Sequence, residues 1–175
     1  MYIDENVTEN DIDKLIERYY PEQKDTLVAL LNLEDPRLAM DHLTTNQVTL
    51  CPSVFIARSL AKNGNNVYQY HFTRRREGSE KILSYHGAEI PYVFNTHDEW
   101  LPTNEDDIKL TKAMMEYWVE FAKKGTPNSI NNPTWKEFGV EENYLILDQA
   151  LENSAKLENE FCEIMIDEMV QRASR

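Results

Sequence analysis

The chain has 175 residues, of which 41% are hydrophobic and only 5 are glycine, so its composition is that of a folded domain and not of a disordered segment. A formal net charge of −13 argues against nucleic acid and anionic membrane surfaces as partners, because both bind basic faces. No apolar run approaches the roughly 20 residues of a membrane span, and the acidic N-terminus lacks an apolar signal region, so we expect either a cytosolic protein or a true N-terminus elsewhere.

Helical periodicity runs through the first third of the chain. Thr8 can cap a first helix, which Pro21 ends. Short helices are predicted around residues 27–31 and 38–43. Residues 48–62 predict a longer helix that is buried, because large apolar side chains occur all around it.

The period changes to that of a strand at residues 65–74. Its alternation places three aromatic side chains on one face, which we expect to be buried: Tyr68, Tyr70 and Phe72. The arginines at 74–76 follow in a polar loop. They could bind an acidic group. Because arginine is mostly a surface residue, we expect instead that they are solvated or lie over acids of the chain itself.

A histidine stands beside a glycine in residues 85–94, with an apolar and aromatic run behind them. Gly87 lets the backbone turn sharply, so that His86 can be presented at the tip of a bend. An exposed imidazole suits general-base catalysis, because the pKa of an unperturbed histidine lies near neutral pH. A histidine in a loop is nevertheless more often a plain surface residue than a catalyst.

The second half contains the clearest helix of the chain. The residues at 103–106 resemble a capping box, and Gly125 is a suitable residue to follow the last turn. We expect its apolar stripe to contain the following residues, with Met114 and Phe121 flanking it: Ile108, Thr111, Met115, Trp118 and Ala122. Residues 144–147 predict a short strand, and a last helix begins at about Leu157.

The sequence predicts about five helices but only one good strand and one short strand. Two strands are too little sheet for a free-standing α/β domain. A lone strand inside a protein needs partners for its backbone hydrogen bonds. No internal repeat or domain boundary is visible, so we expect one piece of a larger fold.

Several catalytic signatures are missing from the chain. None of the glycines frames a serine as Gly-x-Ser-x-Gly, and there is no phosphate loop, no dinucleotide fingerprint and no metal-ligand spacing among the scattered histidines. We therefore expect no cofactor and no metal. From composition alone, Cys51 and Cys162 are either a disulfide pair or two buried thiols.

Two segments carry a resemblance to a known family. The segment Tyr85-His86-Gly87-Ala88-Glu89-Ile90-Pro91-Tyr92-Val93-Phe94 resembles the catalytic-histidine segment of the type B carboxylesterase/lipase family, which includes the cholinesterases. Further along, a helix ending in Lys124-Gly125-Thr126-Pro127-Asn128 is similar to the family's "YW..FA..G.PN" segment. The resemblance covers most of the chain in the right order.

The resemblance implies that residues 1–175 are a partial α/β-hydrolase domain, the C-terminal portion that lacks the nucleophile half. It implies that His86 is the base of the catalytic triad, while the serine, the oxyanion glycines and the triad acid lie upstream. Three acids precede His86 without matching the family's acid position: Asp41, Glu77 and Glu80. Asn46 stands where an aspartate is common in relatives.

The resemblance also implies that Cys51 and Cys162 form a disulfide, as in cholinesterase-like members. A disulfide would place the parent protein in an oxidising compartment, so we expect it to be secreted or periplasmic.

Two functions remain open at this stage. The first is a fragment or subunit of a serine carboxylic-ester hydrolase that acts on a small ester once the N-terminal portion is supplied. The second is a non-catalytic truncated or binding protein that keeps the scaffold. We expect no serine-dependent ester hydrolysis by this chain alone, and we expect it to be marginally stable or prone to aggregation, because the missing portion would cover an exposed sheet edge.

Overall fold

The computed structural model describes residues 6–78 and 83–174. The helices and strands are α1 (Glu9–Tyr19), α2 (Lys24–Leu30), α3 (Pro36–Thr45), α4 (Cys51–Lys62), β1 (Gln69–Phe72), α5 (Ile90–Phe94), α6 (Glu105–Lys124), β2 (Asn143–Leu147), β3 (Leu151–Ala155) and α7 (Asn159–Ala173). A 3-10 turn at Pro21–Gln23 and a π-helical turn at Asn46–Leu50 lie between the first helices.

The described residues form two compact units, one containing the chain up to Arg58 together with the chain from Glu158, and the other containing Ser59–Leu157. The division falls inside α4, where no change of composition marks it. This is why the sequence shows no boundary.

Helix α1 begins where the sequence predicts, with Thr8 as its N-cap. The Asp11 carboxylate accepts hydrogen bonds from the Thr8 backbone N–H at 3.1 Å and from the Thr8 hydroxyl at 2.6 Å. The apolar face of the helix supplies Ile12 and Ile16 to the core, and neither is more than 1% exposed. Pro21 follows directly after the helix, as expected.

The core of the first unit combines side chains from both ends of the chain. Its buried members include Ile12, Ile16, Leu27, Leu43, Val54, Phe161 and Met165. Cys51 on α4 and Cys162 on α7 form a disulfide within it, with their Cα atoms 4.9 Å apart and a sequence separation of 111. The predicted pairing is confirmed, and the alternative of two buried thiols is wrong.

The helix predicted at residues 48–62 differs from the expectation in two ways. It starts as a π-helical turn and becomes α-helical only at Cys51. It is also not buried all round, because Cys51, Val54 and Ala57 are buried on one face while Ile56 and Leu60 are exposed.

The second unit is built on a sheet with the order β1-β2-β3. Strands β1 and β2 are parallel, with Tyr70 opposite Leu145, and β2 and β3 are antiparallel. The three aromatic side chains on one face of the β1 segment pack against the core of this unit, as the alternation predicts: Tyr68, Tyr70 and Phe72. Strand β3 was not predicted, because its sequence Leu-Glu-Asn-Ser-Ala carries no β-branched or aromatic residue.

Helix α6 is present with its cap one residue later than predicted. The side-chain oxygen of Asn104 accepts hydrogen bonds from the backbone N–H groups of Asp106 (3.0 Å) and Asp107 (3.1 Å). The Asp107 carboxylate accepts a bond from the Asn104 backbone N–H at 2.9 Å. The helix ends at Gly125, whose φ of 72° lies in the left-handed region, as expected for a C-terminal glycine.

The buried face of α6 is not the predicted stripe. Ile108 and Met115 are exposed, and of the predicted set only Thr111 is fully buried. The residues that do face inward are Asp107, Leu110, Thr111, Ala113, Met114 and Tyr117. Thr111 and the flanking Met114 are buried as predicted, but the buried face is rotated towards Asp107, a polar residue that a count of apolar residues does not select.

Candidate active site

His86 lies in a turn at the surface of the second unit. The turn spans residues 86–89, and its backbone bonds run from Ala88 N–H to Tyr85 O (3.0 Å) and from Ile90 N–H to Gly87 O (3.1 Å). Gly87 has a φ of +88°, a conformation that costs any residue with a Cβ atom strain. The backbone therefore turns where the sequence predicts, and the His86 side chain is exposed.

No hydrogen bond or ion pair to another residue in the described ranges holds the imidazole of His86 in place. Of the three upstream acids, Glu77 is exposed in a separate turn, Asp41 belongs to the first unit, and Glu80 lies outside the described residues. Among the residues that the structure describes, the imidazole of His86 is therefore exposed and has no carboxylate bonded to it.

The turn leads directly into α5, and Tyr92 anchors this short helix. Tyr92 is 1% exposed, and its ring packs against Phe72 of β1 with ring centres 5.2 Å apart. The helix stops at Asn95, which adopts a left-handed φ of 51°. Asparagine tolerates this backbone conformation better than most residues do. His86 therefore lies just before the N-terminal end of α5, and Tyr92 packs the inner face of that helix into the core.

A buried polar cluster holds Tyr92 from behind. The Asp107 carboxylate, which is fully buried, accepts hydrogen bonds from the Tyr92 hydroxyl at 2.7 Å and from Arg74 Nε at 2.8 Å. Burial by itself would raise the pKa of the Asp107 carboxyl, but the bonds from Arg74, the Asn104 backbone and Tyr92 outweigh it and lower that pKa. Burial and the bond to Asp107 together raise the pKa of the Tyr92 hydroxyl. The cluster therefore combines an arginine cation, a carboxylate and a neutral phenol.

His97 extends this cluster without joining the exposed turn. Its Nε2 lies 2.7 Å from the Thr111 hydroxyl, and its ring packs on Tyr92 with centres 4.8 Å apart. Burial and the nearby Arg76 guanidinium lower the pKa of His97, which keeps the ring neutral. His97 is a packing residue.

The remaining histidines are not part of this turn. The ring of His71 on β1 packs near Tyr144 with centres 6.4 Å apart, and His42 bonds Glu158 in the first unit. Of the four histidines, His86 is the one that the structure presents on an exposed turn.

Arg76 secures the loop beside the turn. Its side chain is 5% exposed and donates to the Asp98 carboxylate at 3.0 Å, to the Thr103 hydroxyl at 3.0 Å and to the carbonyl of Leu101. This loop carries Trp100, whose ring lies 5.9 Å from that of Tyr85, the residue before His86. The expectation that these arginines lie over acids of the chain is met by Arg74 and Arg76.

These contacts of Arg74 and Arg76 could not be predicted from the sequence. Arg74 and Asp107 are 33 residues apart, and each falls in a segment that is polar for an independent reason, a loop in one case and a helix cap in the other. A buried arginine and a buried carboxylate that are paired show no signal in a single sequence.

Within the residues that the structure describes, no group of three or more His, Cys, Asp or Glu side chains could hold a metal ion. The same residues include no helix that is long and apolar enough to cross a membrane.

Comparison with known proteins decides the family. The model of the carboxylesterase family matches residues 2–165. The chain belongs to the carboxylesterase family. The resemblance seen in the histidine segment and in α6 is thereby confirmed.

Individual carboxylesterases match at modest identity. Carboxylesterase 1E of Rattus norvegicus is 29% identical over 160 residues, which are 87% of this chain and 27% of the rat protein. The medium-chain fatty acyl-CoA hydrolase precursor of Anas platyrhynchos is 31% identical over 110 residues, 60% of this chain and 20% of its own length. The chain spans less than a third of these relatives.

A solved structure supports the fold class. The protein named PNB esterase superposes with a TM-score of 0.70 at 19% identity, covering 94% of this chain and 34% of its own. At that identity the match speaks for the fold alone. The predicted fold class, part of an α/β-hydrolase, is confirmed for this carboxylesterase-family chain.

Proposed function

We propose that this chain is the histidine-bearing, C-terminal portion of a serine carboxylic-ester hydrolase. In this proposal His86 takes the proton from a serine hydroxyl as that oxygen attacks the ester carbonyl, and then gives it to the leaving alcohol. Carboxylesterase-family membership supports the proposal. The observation that carries it is the exposure of His86 on a turn that α5 anchors to the core through Tyr92.

The other parts of the reaction would come from polypeptide outside this chain. The serine, the oxyanion donors and the acid that orients His86 are assigned to the nucleophile half, and the substrate is a small ester. Residues 1–175 then act as a partial domain. The disulfide between Cys51 and Cys162 supports an oxidising compartment, so that the parent protein is secreted or periplasmic.

The first test is the DNA upstream of Met1. An open frame that encodes Gly-x-Ser-x-Gly supports the hydrolase, and the joined polypeptide is then assayed on a short-chain p-nitrophenyl ester. His86→Gln should lower kcat/KM by about 10³-fold or more, because triad deletions remove a step that no other group performs. His42→Gln is the matched control and should stay within about 3-fold, since that ring lies outside the turn. A near-normal rate for His86→Gln would remove this residue from the mechanism.

The second candidate is a non-catalytic binding protein that keeps the scaffold. It is favoured by one observation, the lack of any glycine-framed serine in the chain. A stop codon upstream together with a promoter of its own would support it. Ester turnover by the chain alone, blocked by a serine-directed fluorophosphonate, would contradict both candidates.

A further inference from the structure

The tripeptide Asn6-Val7-Thr8 lies directly before α1. Asn-x-Ser/Thr, with any residue but proline in the middle, is the acceptor motif for N-linked glycans. No other tripeptide of the sequence fits it: Asn132 precedes a threonine by two positions, but Pro133 stands between them. The chain therefore offers one acceptor.

The structure places this acceptor at the surface. Asn6 is exposed, whereas Val7 is partly buried and packs against the core of the first unit. Asn6 is therefore exposed to solvent just before the chain enters α1. A bulky, hydrophilic glycan fits only such a surface position.

The disulfide is the independent observation. Cys51 and Cys162 are joined in the core, and disulfides form and persist in oxidising compartments, among them the lumen of the endoplasmic reticulum. Proteins that fold in that lumen are also those that receive N-linked glycans. The acceptor motif and the disulfide therefore indicate the same compartment.

We propose that Asn6 carries an N-linked glycan, taken from an oligosaccharide attached to a lipid pyrophosphate. The amide Nδ2 of Asn6 forms a bond to the anomeric carbon of the sugar. The bond between that carbon and the pyrophosphate oxygen breaks, the lipid pyrophosphate leaves with the electron pair, and the amide nitrogen loses one proton. This inference does not depend on the ester-hydrolase proposal.

Thr8 has two roles in this scheme. In the folded chain its hydroxyl donates to the Asp11 carboxylate at 2.6 Å as part of the N-cap of α1. During glycan transfer the same hydroxyl must be read by the transferase. The transfer therefore precedes formation of α1, as the chain enters the lumen.

The test uses the full chain behind a secretory leader in cultured animal cells, with whole-cell lysate and medium treated with peptide N-glycosidase F. Wild type should lose one glycan on treatment, and so should Thr8→Ser, which keeps both the motif and the cap. Asn6→Gln and Thr8→Asn should show no shift. Thr8→Asn is the matched variant, because asparagine caps helices well and its amide can donate to Asp11, but it cannot complete the motif.

Translocation itself needs a control. Asn65→Thr in the Asn6→Gln background creates an acceptor at the exposed Asn63, so this variant must gain a glycan. Because transfer precedes folding, lysate reports the result even when secretion is poor. If this control is glycosylated while wild type shows no shift, the proposal is overturned. A shift that persists in Asn6→Gln would overturn it as well.

Discussion

Asp107 is the residue on which the position of the candidate base depends. Its carboxylate is fully buried and holds Tyr92 and Arg74 together, and the Arg74 side chain is itself only 10% exposed. A buried charge that loses its partner costs more than a missing hydrogen bond, because the remaining ion stays unpaired in a medium of low polarity. Tyr92 links this cluster to α5 and so to the turn of His86.

Replacing Asp107 by asparagine should lower the free energy of unfolding by about 3 kcal/mol, because Arg74 loses its buried counter-ion and keeps only the more distant Asp148 carboxylate at 3.9 Å. Tyr92→Phe removes one hydrogen bond to the same carboxylate and should cost about 1.5 kcal/mol. Chemical denaturation of both variants gives the two values. Equal losses would show that the ion pair adds nothing beyond the tyrosine bond.

The difference in unfolding free energy between wild type and Asp107→Asn should depend on pH with a defined sign. The pKa of Asp107 is lowered from its ordinary 3.8, so its stabilising effect is present above that value and is lost as the pH falls through the lower folded-state pKa. The difference in unfolding free energy between wild type and Asp107→Asn should therefore decrease in acid and stay constant near neutral pH. A gap that widened in acid would contradict the assignment of a charged Asp107.

Individual residues were predicted well where the backbone alone dictates the choice. Thr8 at a helix start, Gly125 at a helix end and Gly87 in the turn of His86 each satisfy a local requirement that a single sequence shows. Asp107 could not be predicted, because its partner Arg74 is distant in the chain and each residue has an ordinary surface explanation.

At the scale of elements, α3 and α7 are joined by a pair that responds to pH. His42 Nε2 of α3 lies 3.0 Å from the carboxylate of Glu158, the N-cap residue of α7. The hydrogen bond to Glu158 raises the pKa of His42 above its ordinary 6.5, although partial burial opposes the shift and the nearby Asp41 supports it. Folding therefore favours the protonated ring.

The stabilisation by this pair should be complete below pH 6.5 and should be lost as the pH rises through the raised pKa of folded His42. The free energy of unfolding of wild type and Glu158→Gln should therefore differ most at about pH 5.5 and least at about pH 8.5. In a His42→Gln background the effect of Glu158→Gln should no longer change over this range. A constant difference in the wild-type background would mean that His42 does not titrate against Glu158.

The elements themselves were predictable to different degrees. The helices around the first core and the strand β1 follow from apolar periodicity, since their buried faces are apolar. The buried face of α6 was assigned only in part, because Asp107 is kept inside by hydrogen bonds that apolar periodicity does not show. Strand β3 was not predicted, because its pairing with β2 makes it a strand and its own composition does not indicate one.

For the whole molecule, the strongest constraint is the covalent link between Cys51 and Cys162. A loop of 111 residues closed in this way restricts the unfolded chain, which should stabilise the fold by about 4–5 kcal/mol in the chain-entropy description. The division of the chain into two units was not predictable, because each end of the first unit contributes only part of its core.

The double variant Cys51→Ala/Cys162→Ala should lose about 4–5 kcal/mol of unfolding free energy relative to the oxidised wild type. Wild type treated with dithiothreitol should lose a similar amount, and dithiothreitol should leave the double variant unchanged. Denaturation with and without reductant measures both effects. A double variant within about 1 kcal/mol of wild type would show that the loop closure contributes little.

The same bond makes a covalent ring of the chain between α4 and α7, and the whole of Ser59–Leu157 lies inside that ring. A protease that cuts one peptide bond in this unit opens the ring without releasing either piece. The nicked protein migrates as one species under non-reducing electrophoresis and separates into two only when a thiol is added. Cleavage within Ser59–Leu157 therefore leaves the two pieces joined, and the mass of the molecule rises by only one water.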